Sequence, residues 1–173
     1  VGECPGQEED KTGKPFIGRS GKMLDANLEA IGVKRADCFI TNSVRCAAKD
    51  NVTPEKSVLK SCRPYLLDEI REIKPQVILS VGAKSMESLL GKTGITKFRN
   101  QVYWSDELNA KVVVIYHPAY IMRNPGMSAD FSEGFQVLKK EIGSDTLAVV
   151  EKIKTHRVIC DTKEKALALV DNL

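Results

Sequence analysis

Two short runs of almost entirely apolar residues constrain the fold of this chain most: residues 76–81 (QVILSV) and 111–116 (KVVVIY). Neither run alternates apolar and polar residues as a half-exposed strand does, so both are predicted to be strands buried on two faces. Further strands are predicted at residues 1–2 and at 38–44 (CFITNSV), which is β-branched and aromatic. A short strand within a loop is predicted at 102–103.

Segments with apolar residues at helical spacing separate these strands. The predicted helices span residues 20–31, 54–73 (with a kink or break at Pro64), 83–90 and 129–142. Strands that alternate with helices favour right-handed crossovers and a sheet covered on both faces. We therefore expect an α/β fold, a three-layer α/β/α sandwich around a central, mostly parallel, four-stranded sheet.

The loops at the carboxyl ends of the strands are expected to form a site, because ligands bind there in open parallel sheets. The first loop, residues 2–21, is rich in Gly and Pro and carries an acidic run, basic residues and the aromatic residue Phe16. Long loops of this kind are usually either functional or disordered, and this mixture of acids, bases and an aromatic favours a site over a linker. Asn42 lies near the end of the strand predicted at 38–44, and His117 directly follows the strand predicted at 111–116. The first loop, Asn42 and His117 are therefore expected to meet.

Composition narrows the classes of function. The 173 residues are 42% hydrophobic and 28% charged, which is ordinary for one globular domain, and no apolar run approaches the roughly 20 residues of a membrane span. A net charge of +3 permits a nucleic-acid partner without requiring one. Five scattered cysteines favour a reducing, cytoplasmic location. Separately, we expect the protein to be a monomer. The sequence contains no Walker A loop, G-x-G-x-x-G fingerprint or C-x-x-C pair.

Five segments carry a family resemblance: residues 2–24 (GECPGQEEDKTGKPFIGRSGKML), 40–46 (ITNSVRC), 62–66 (CRPYL), 75–82 (PQVILSVG) and 117–123 (HPAYIMR). Together they resemble the uracil-DNA glycosylase superfamily, specifically its iron–sulfur (family 4) branch and the glycosylase-like domains of phage-type DNA polymerases. The resemblance covers about residues 1–142. It implies an enzyme that flips uracil out of single- or double-stranded DNA and hydrolyses its N-glycosidic bond.

The resemblance also implies which residues meet the base. Asn42 would read the Watson–Crick edge of uracil, since its amide offers both a donor and an acceptor. Phe16 would stack on the base and His117 would donate to the departing uracil O2, while Cys4 and Gly6 of the GE-x-PG stretch are further substrate-binding positions. The residues alone leave other readings open: an Asn that caps a strand, a Phe packed in the core, and a His that caps the end of a buried strand.

Acidic and basic residues complete the implied site. Glu9, and after it Glu3, would position water or stabilise the cationic sugar. Apolar side chains that wedge between bases and basic side chains that hold phosphates would bind the DNA. These are Tyr120, Ile121, Met122, Arg123, Arg19 and Lys14. The alternatives are a solvated acidic loop and a loop that only covers the end of the sheet.

Cys46 and Cys62 correspond to two of the four thiolate ligands of a [4Fe–4S] cluster in the iron–sulfur branch. The other two ligands would lie upstream of Val1, and we expect the sequence to be a fragment that lacks its natural N-terminus. Residues 143–173 are expected to hold a linker and the start of a following domain, with a strand at 157–160 and a helix at 162–173. This segment resembles the opening of a 3′–5′ exonuclease.

Cys4 departs from the family pattern, in which Ala, Gly or Gln is usual at this place. Cysteine is small enough to fit, but two other hypotheses stay open beside the enzyme. One is a catalytically weak or inactive module that binds uracil or DNA and is fused to a phage-type DNA polymerase. The other is an unrelated α/β domain that binds a small molecule.

Overall fold

The computed structural model describes residues 1–47 and 52–143, together with the backbone of residues 151–152. The helices in these ranges are α1 (Gln7–Thr12), α2 (Arg19–Ala30), α3 (Lys56–Ile73), α4 (Ala83–Leu90), α5 (Pro118–Arg123) and α6 (Ser128–Glu141). The strands are β1 (Val77–Val81), β2 (Val102–Ser105), β3 (Ala110–Ile115) and the two-residue β4 (Glu151–Lys152). Short 3-10 helices lie at Arg35–Asp37, Ile95–Lys97 and Pro125–Met127.

The sheet is mixed, in the order β1-β3-β2-β4. β1 and β3 are parallel, while β2 is antiparallel to β3 and parallel to β4. The predicted α/β class is confirmed, and two of the three strand pairings are parallel, but the antiparallel β2–β3 pairing makes the sheet mixed and β4 has only two residues. Three strands have four or more residues, and the predicted strands at 1–2 and 38–44 contribute an isolated parallel bridge between Gly2 and Asn42. The short strand predicted at 102–103 is the start of β2, and it is antiparallel because a turn at 106–109, with Asn109 at φ +48°, folds β2 back onto β3.

Alternation along β3 divides the core into two apolar clusters, as a sheet covered on both faces requires. Val113 and Ile115 join one cluster with residues of α2, α5 and α6, including Leu24, Ile121 and Phe131. Val112 and Val114 join the other with residues of α3 and α4, including Leu66 and Met86. These two clusters give the three-layer arrangement and hold the ends of β1 and β3 side by side.

Three helices, α5, α1 and α3, differ from the sequence prediction. The segment HPAYIMR, predicted to be a loop, forms α5, because Pro118 occupies the first helical position, where no amide donor is needed. The first loop contains α1, whose first turn is acidic and favours the helix dipole. Helix α3 continues through Pro64 without the predicted break.

The strand predicted at 157–160 and the helix predicted at 162–173 lie outside the described residues. The division of the chain at about residue 142 therefore stays a prediction. No helix in the described part of the chain is long and apolar enough to cross a membrane.

Candidate active site

A cavity of about 900 Å³ opens where β1 and β3 end, and four parts of the chain line it. They are the first loop with the start of α2, Asn42, the start of α4, and the segment from Tyr116 through α5. Residues 52–54 and Ile95–Thr96 complete the wall. The first loop, Asn42 and His117 thus lie around one cavity.

His117 is placed by the junction of β3 and α5. Its Nδ1 accepts a hydrogen bond from the backbone nitrogen of Ala119 at 3.2 Å and so caps the helix. Burial lowers the pKa of His117; the charge of Glu3 opposes this effect, Arg123 adds to it, and Glu9 opposes it. Because Nδ1 accepts a hydrogen bond, a neutral imidazole carries its proton on Nε2 and can donate from there.

Phe16 is held in a rare backbone conformation beside this imidazole. Its φ is +53°, its side chain is buried, and its ring centroid lies 5.9 Å from that of His117 at an interplanar angle of 30°. Arg35 donates to the carbonyls of Pro15 and Phe16 at 2.6 and 3.0 Å and pairs with Asp25 at 2.8 Å. Sequence analysis missed Arg35, because its role depends on contacts with residues about 20 positions earlier.

Gly2 allows Asn42 and Phe16 to approach each other. A Cβ built on Gly2 would lie 2.3 Å from Asn42 Oδ1 and 2.4 Å from Phe16 Cε2. Asn42 is buried, and its backbone bridges to Gly2. Any side chain at position 2 would therefore occupy the space between the amide and the ring. A glycine at a strand end is a weak signal of such close approach, and sequence analysis did not select Gly2.

Both predicted acids are fixed by backbone donors from other elements. Glu9 Oε1 accepts from the nitrogens of Ile17 and Gly18, each at 3.1 Å, and so ties α1 to the turn that precedes α2. Glu3 Oε1 accepts from the nitrogen of Lys84 at 3.1 Å, at the start of α4. Both residues line the cavity, and their negative charges oppose the lowering of the His117 pKa.

The remaining predicted residues divide between the cavity and other places. Cys4, Gly6, Arg19, Tyr120, Met122 and Arg123 line the cavity. Ile121 is only 1% exposed and belongs to the core, so the prediction that it wedges into DNA is corrected. Lys14 is exposed and does not line this cavity; it lines a second one, of about 330 Å³, that also includes Glu9 and Asn42, and its contact with DNA stays a prediction.

Cys46 is exposed and Cys62 half-buried. Among the described residues, no group of three or more His, Cys, Asp or Glu side chains could hold a metal ion. A [4Fe–4S] cluster needs four thiolates, so these two cysteines do not form a site for it by themselves.

Fold and cavity together define an α/β domain in which Phe16, Asn42 and His117 line one cavity at the ends of two parallel strands. The chain belongs to the uracil-DNA glycosylase superfamily, because the family model described as "Uracil DNA glycosylase superfamily" matches residues 1–139. The family resemblance stated from the motifs is thereby confirmed.

Curated relatives agree with this assignment. The type-4 uracil-DNA glycosylase of Thermotoga maritima is 41% identical over 127 residues, which are 72% of this chain and 65% of that protein. The enzyme of the same name from Pyrobaculum aerophilum is 36% identical over 140 residues, 77% of this chain and 71% of that protein. The one from Saccharolobus solfataricus is 35% identical over 157 residues, 86% and 73%.

Proposed function

We propose that this chain is a uracil-DNA glycosylase that hydrolyses the bond between uracil and deoxyribose after the base has been flipped into the cavity. The observation that carries the proposal is the arrangement around His117. Its Nδ1 is occupied by Ala119 N–H, which leaves Nε2–H as a donor next to the Phe16 ring. Membership of the family and the type-4 relatives support the same reaction.

Recognition of the base falls to Asn42 and Phe16. The amide nitrogen of Asn42 donates to uracil O4 and its oxygen accepts from N3–H, a pattern that cytosine does not offer. Phe16 supplies a face for stacking, which is worth about 1–3 kcal/mol per base. The absence of a side chain at Gly2 lets both groups pack directly against its backbone, which sets their positions at the cavity.

Bond cleavage falls to His117 and the two acids. The electron pair of the bond from sugar C1′ to uracil N1 moves onto the base, and the negative charge that develops at O2 accepts a hydrogen bond from His117 Nε2. The sugar is left cationic at C1′ and takes up water there; the proton that this water loses balances the charge of the uracil anion, so the products are an abasic sugar and neutral uracil. Glu3 and Glu9 carry the negative charge that stabilises this cation and orients the water. Their backbone hydrogen bonds hold both charges in place before the reaction begins.

DNA outside the flipped nucleotide lies along Tyr120, Met122 and Arg123 of α5 and Arg19 of α2. Met122 is 39% exposed at the cavity and offers an apolar side chain to the base stack. Arg19 and Arg123 offer positive charges to the phosphates. No step of the reaction is assigned to an iron–sulfur cluster.

The test is excision of uracil from a single-stranded oligonucleotide, scored as abasic product. His117→Ala and His117→Asn are both expected to lower kcat by about 10²–10³-fold, the cost of one lost oxyanion donor. Asparagine is a good helix cap, so His117→Asn separates the catalytic role of the imidazole from its capping role. His156→Ala, at the other histidine of the chain, serves as the matched control.

Three results would contradict the proposal. Equal cleavage by His117→Asn and the wild type would refute the role of His117. Tight, uracil-dependent binding without abasic product would support the second hypothesis, the binding module of a phage-type polymerase. Lack of any salt-sensitive DNA binding would favour a domain that binds a small molecule.

A further inference from the structure

A chain of contacts runs from α6 to the DNA-facing side of α5 and includes residues that no step above uses. Tyr116 directly follows β3 and is buried, and its ring centroid lies 4.8 Å from that of Tyr120 at an interplanar angle of 33°. The guanidinium carbon of Arg99 lies 5.3 Å from the centroid of the Tyr116 ring, within the range of a cation–π contact. Arg99 therefore contacts the same ring that supports Tyr120.

Arg99 is itself fixed at its other side. Its Nε donates to both carboxylate oxygens of Asp130, at 3.0 and 2.7 Å, and its Nη1 donates to the carbonyl of Thr96. The two side chains are only 26% and 21% exposed. Asp130 is in the first turn of α6, and its carbonyl also accepts from the Asn100 side chain at 2.8 Å. The guanidinium is thus held by a rigid part of the fold.

Helix α5 needs such support, because six residues are too few for a helix to be stable alone. One side of it is anchored by Ile121, which is 1% exposed in the core. Another side is anchored by Tyr120 on Tyr116. These two contacts determine where Met122 and Arg123 lie at the cavity. Arg99 does not line the cavity, so it acts on this surface through Tyr116.

We propose that Arg99, held by Asp130, is a positioning residue that fixes α5 through Tyr116 and Tyr120 for the opening of double-stranded DNA. Excision from a duplex requires α5 to compete with base stacking and pairing. Excision from a single strand does not, because the base is already accessible. The proposal rests on the proposed glycosylase function.

The experiment compares kcat/KM on single-stranded and double-stranded oligonucleotides of the same sequence. Arg99→Ala is expected to lower the double-stranded value by about 2- to 30-fold, the span expected for loss of a cation–π contact. The single-stranded value is expected to stay within about twofold of the wild type. Arg99→Lys keeps a positive charge near the ring and is expected to recover part of the loss.

Two further variants secure the comparison. Asp130→Asn retains the size of the side chain but loses its charge, and it is expected to show the same selective loss on double-stranded DNA. It therefore replaces Arg99→Ala as the test if Arg99→Ala does not fold. Arg63→Ala is the matched control, since Arg63 also makes a bidentate pair, with Glu107 at 3.0 and 2.7 Å, but does not line the cavity. Fluorescence of 2-aminopurine beside the uracil measures base opening without cleavage, and its rise on binding duplex is expected to shrink in Arg99→Ala.

An equal loss on both substrates, or no loss on either, would overturn the positioning role of Arg99. If the wild type cleaves neither substrate, the proposed function is wrong and this inference is wrong with it. The single-stranded activity of the wild type therefore distinguishes a failure of the inference from a failure of the function.

Discussion

Gly2→Ala tests whether the close approach of Asn42 and Phe16 matters for function. Gly2 is buried, and its backbone is fixed on both sides: its nitrogen donates to Thr41 at 2.8 Å and its carbonyl accepts from the nitrogen of Ser43 at 2.9 Å. The backbone cannot move away from a new methyl group without losing these hydrogen bonds. The amide and the ring therefore have to move instead.

The size of this movement follows from the geometry. The new Cβ would lie 2.3 Å from Asn42 Oδ1 and 2.4 Å from Phe16 Cε2, whereas ordinary contact begins at 3.4 Å. Each group has to retreat by about 1 Å, and a misplacement of that size costs on the order of 100-fold in rate. Crowding of the buried site is also expected to lower the free energy of unfolding by about 1–3 kcal/mol.

The assay is the initial rate of uracil excision from a single-stranded oligonucleotide, combined with thermal unfolding to show that the variant is folded. Gly126→Ala is the matched control, because a Cβ at Gly126 would meet no atom within 4 Å. The control is expected to retain wild-type activity. If folded Gly2→Ala cleaves within about threefold of the wild type, excision does not depend on the positions that Gly2 allows Asn42 and Phe16 to take.

Two further predictions concern Glu9 and His117. Glu9→Ala removes the acceptor for the nitrogens of Ile17 and Gly18 and is expected to destabilise the fold by about 1–3 kcal/mol and to raise KM. Glu9→Gln keeps an acceptor and is expected to restore the stability. An equal loss of stability in both variants, measured by urea unfolding, would contradict this holding role. Because folding lowers the pKa of His117 from its ordinary 6.5, the unfolded chain takes up the proton first, so the free energy of unfolding is expected to fall as pH drops through 6.5 toward the folded pKa. His117→Asn is expected to lack this part of the pH dependence in urea unfolding, and an unchanged profile would show that His117 is not its source.

The strands that carry the cavity could be predicted from sequence because their signal is local. Residues 76–81 and 111–116 are apolar without alternation, and β1 and β3 occupy almost the same positions. Helix α5 was missed because its sequence, HPAYIMR, is too short to show helical periodicity. Its formation depends on the His117 cap and on the burial of Ile121, and both are properties of the folded chain.

Residues of the candidate site also divide into those with a local sequence signal and those whose contribution depends on distant parts of the chain. The positions of Asn42, Phe16 and His117, at strand ends or in the first loop, predicted that they would lie around one cavity, whereas their roles were implied only by the family resemblance. Gly2, Arg35 and Arg99 could not be selected, because each acts on residues far away in the sequence. Ile121 was selected wrongly, because the sequence alone does not show which side of α5 is buried.

The two explanations of His117 that the sequence left open are not alternatives. As a cap, its Nδ1 has to be unprotonated in order to accept from Ala119 N–H. As a catalytic donor, its Nε2 has to carry a proton, and a neutral ring that accepts at Nδ1 meets both conditions. Two nearby carboxylates, Glu3 and Glu9, favour a charged imidazolium, which would break the cap; burial together with Arg123 outweighs them and keeps the ring neutral. The hydrogen bond that begins α5 therefore also keeps the proton of the neutral ring on Nε2.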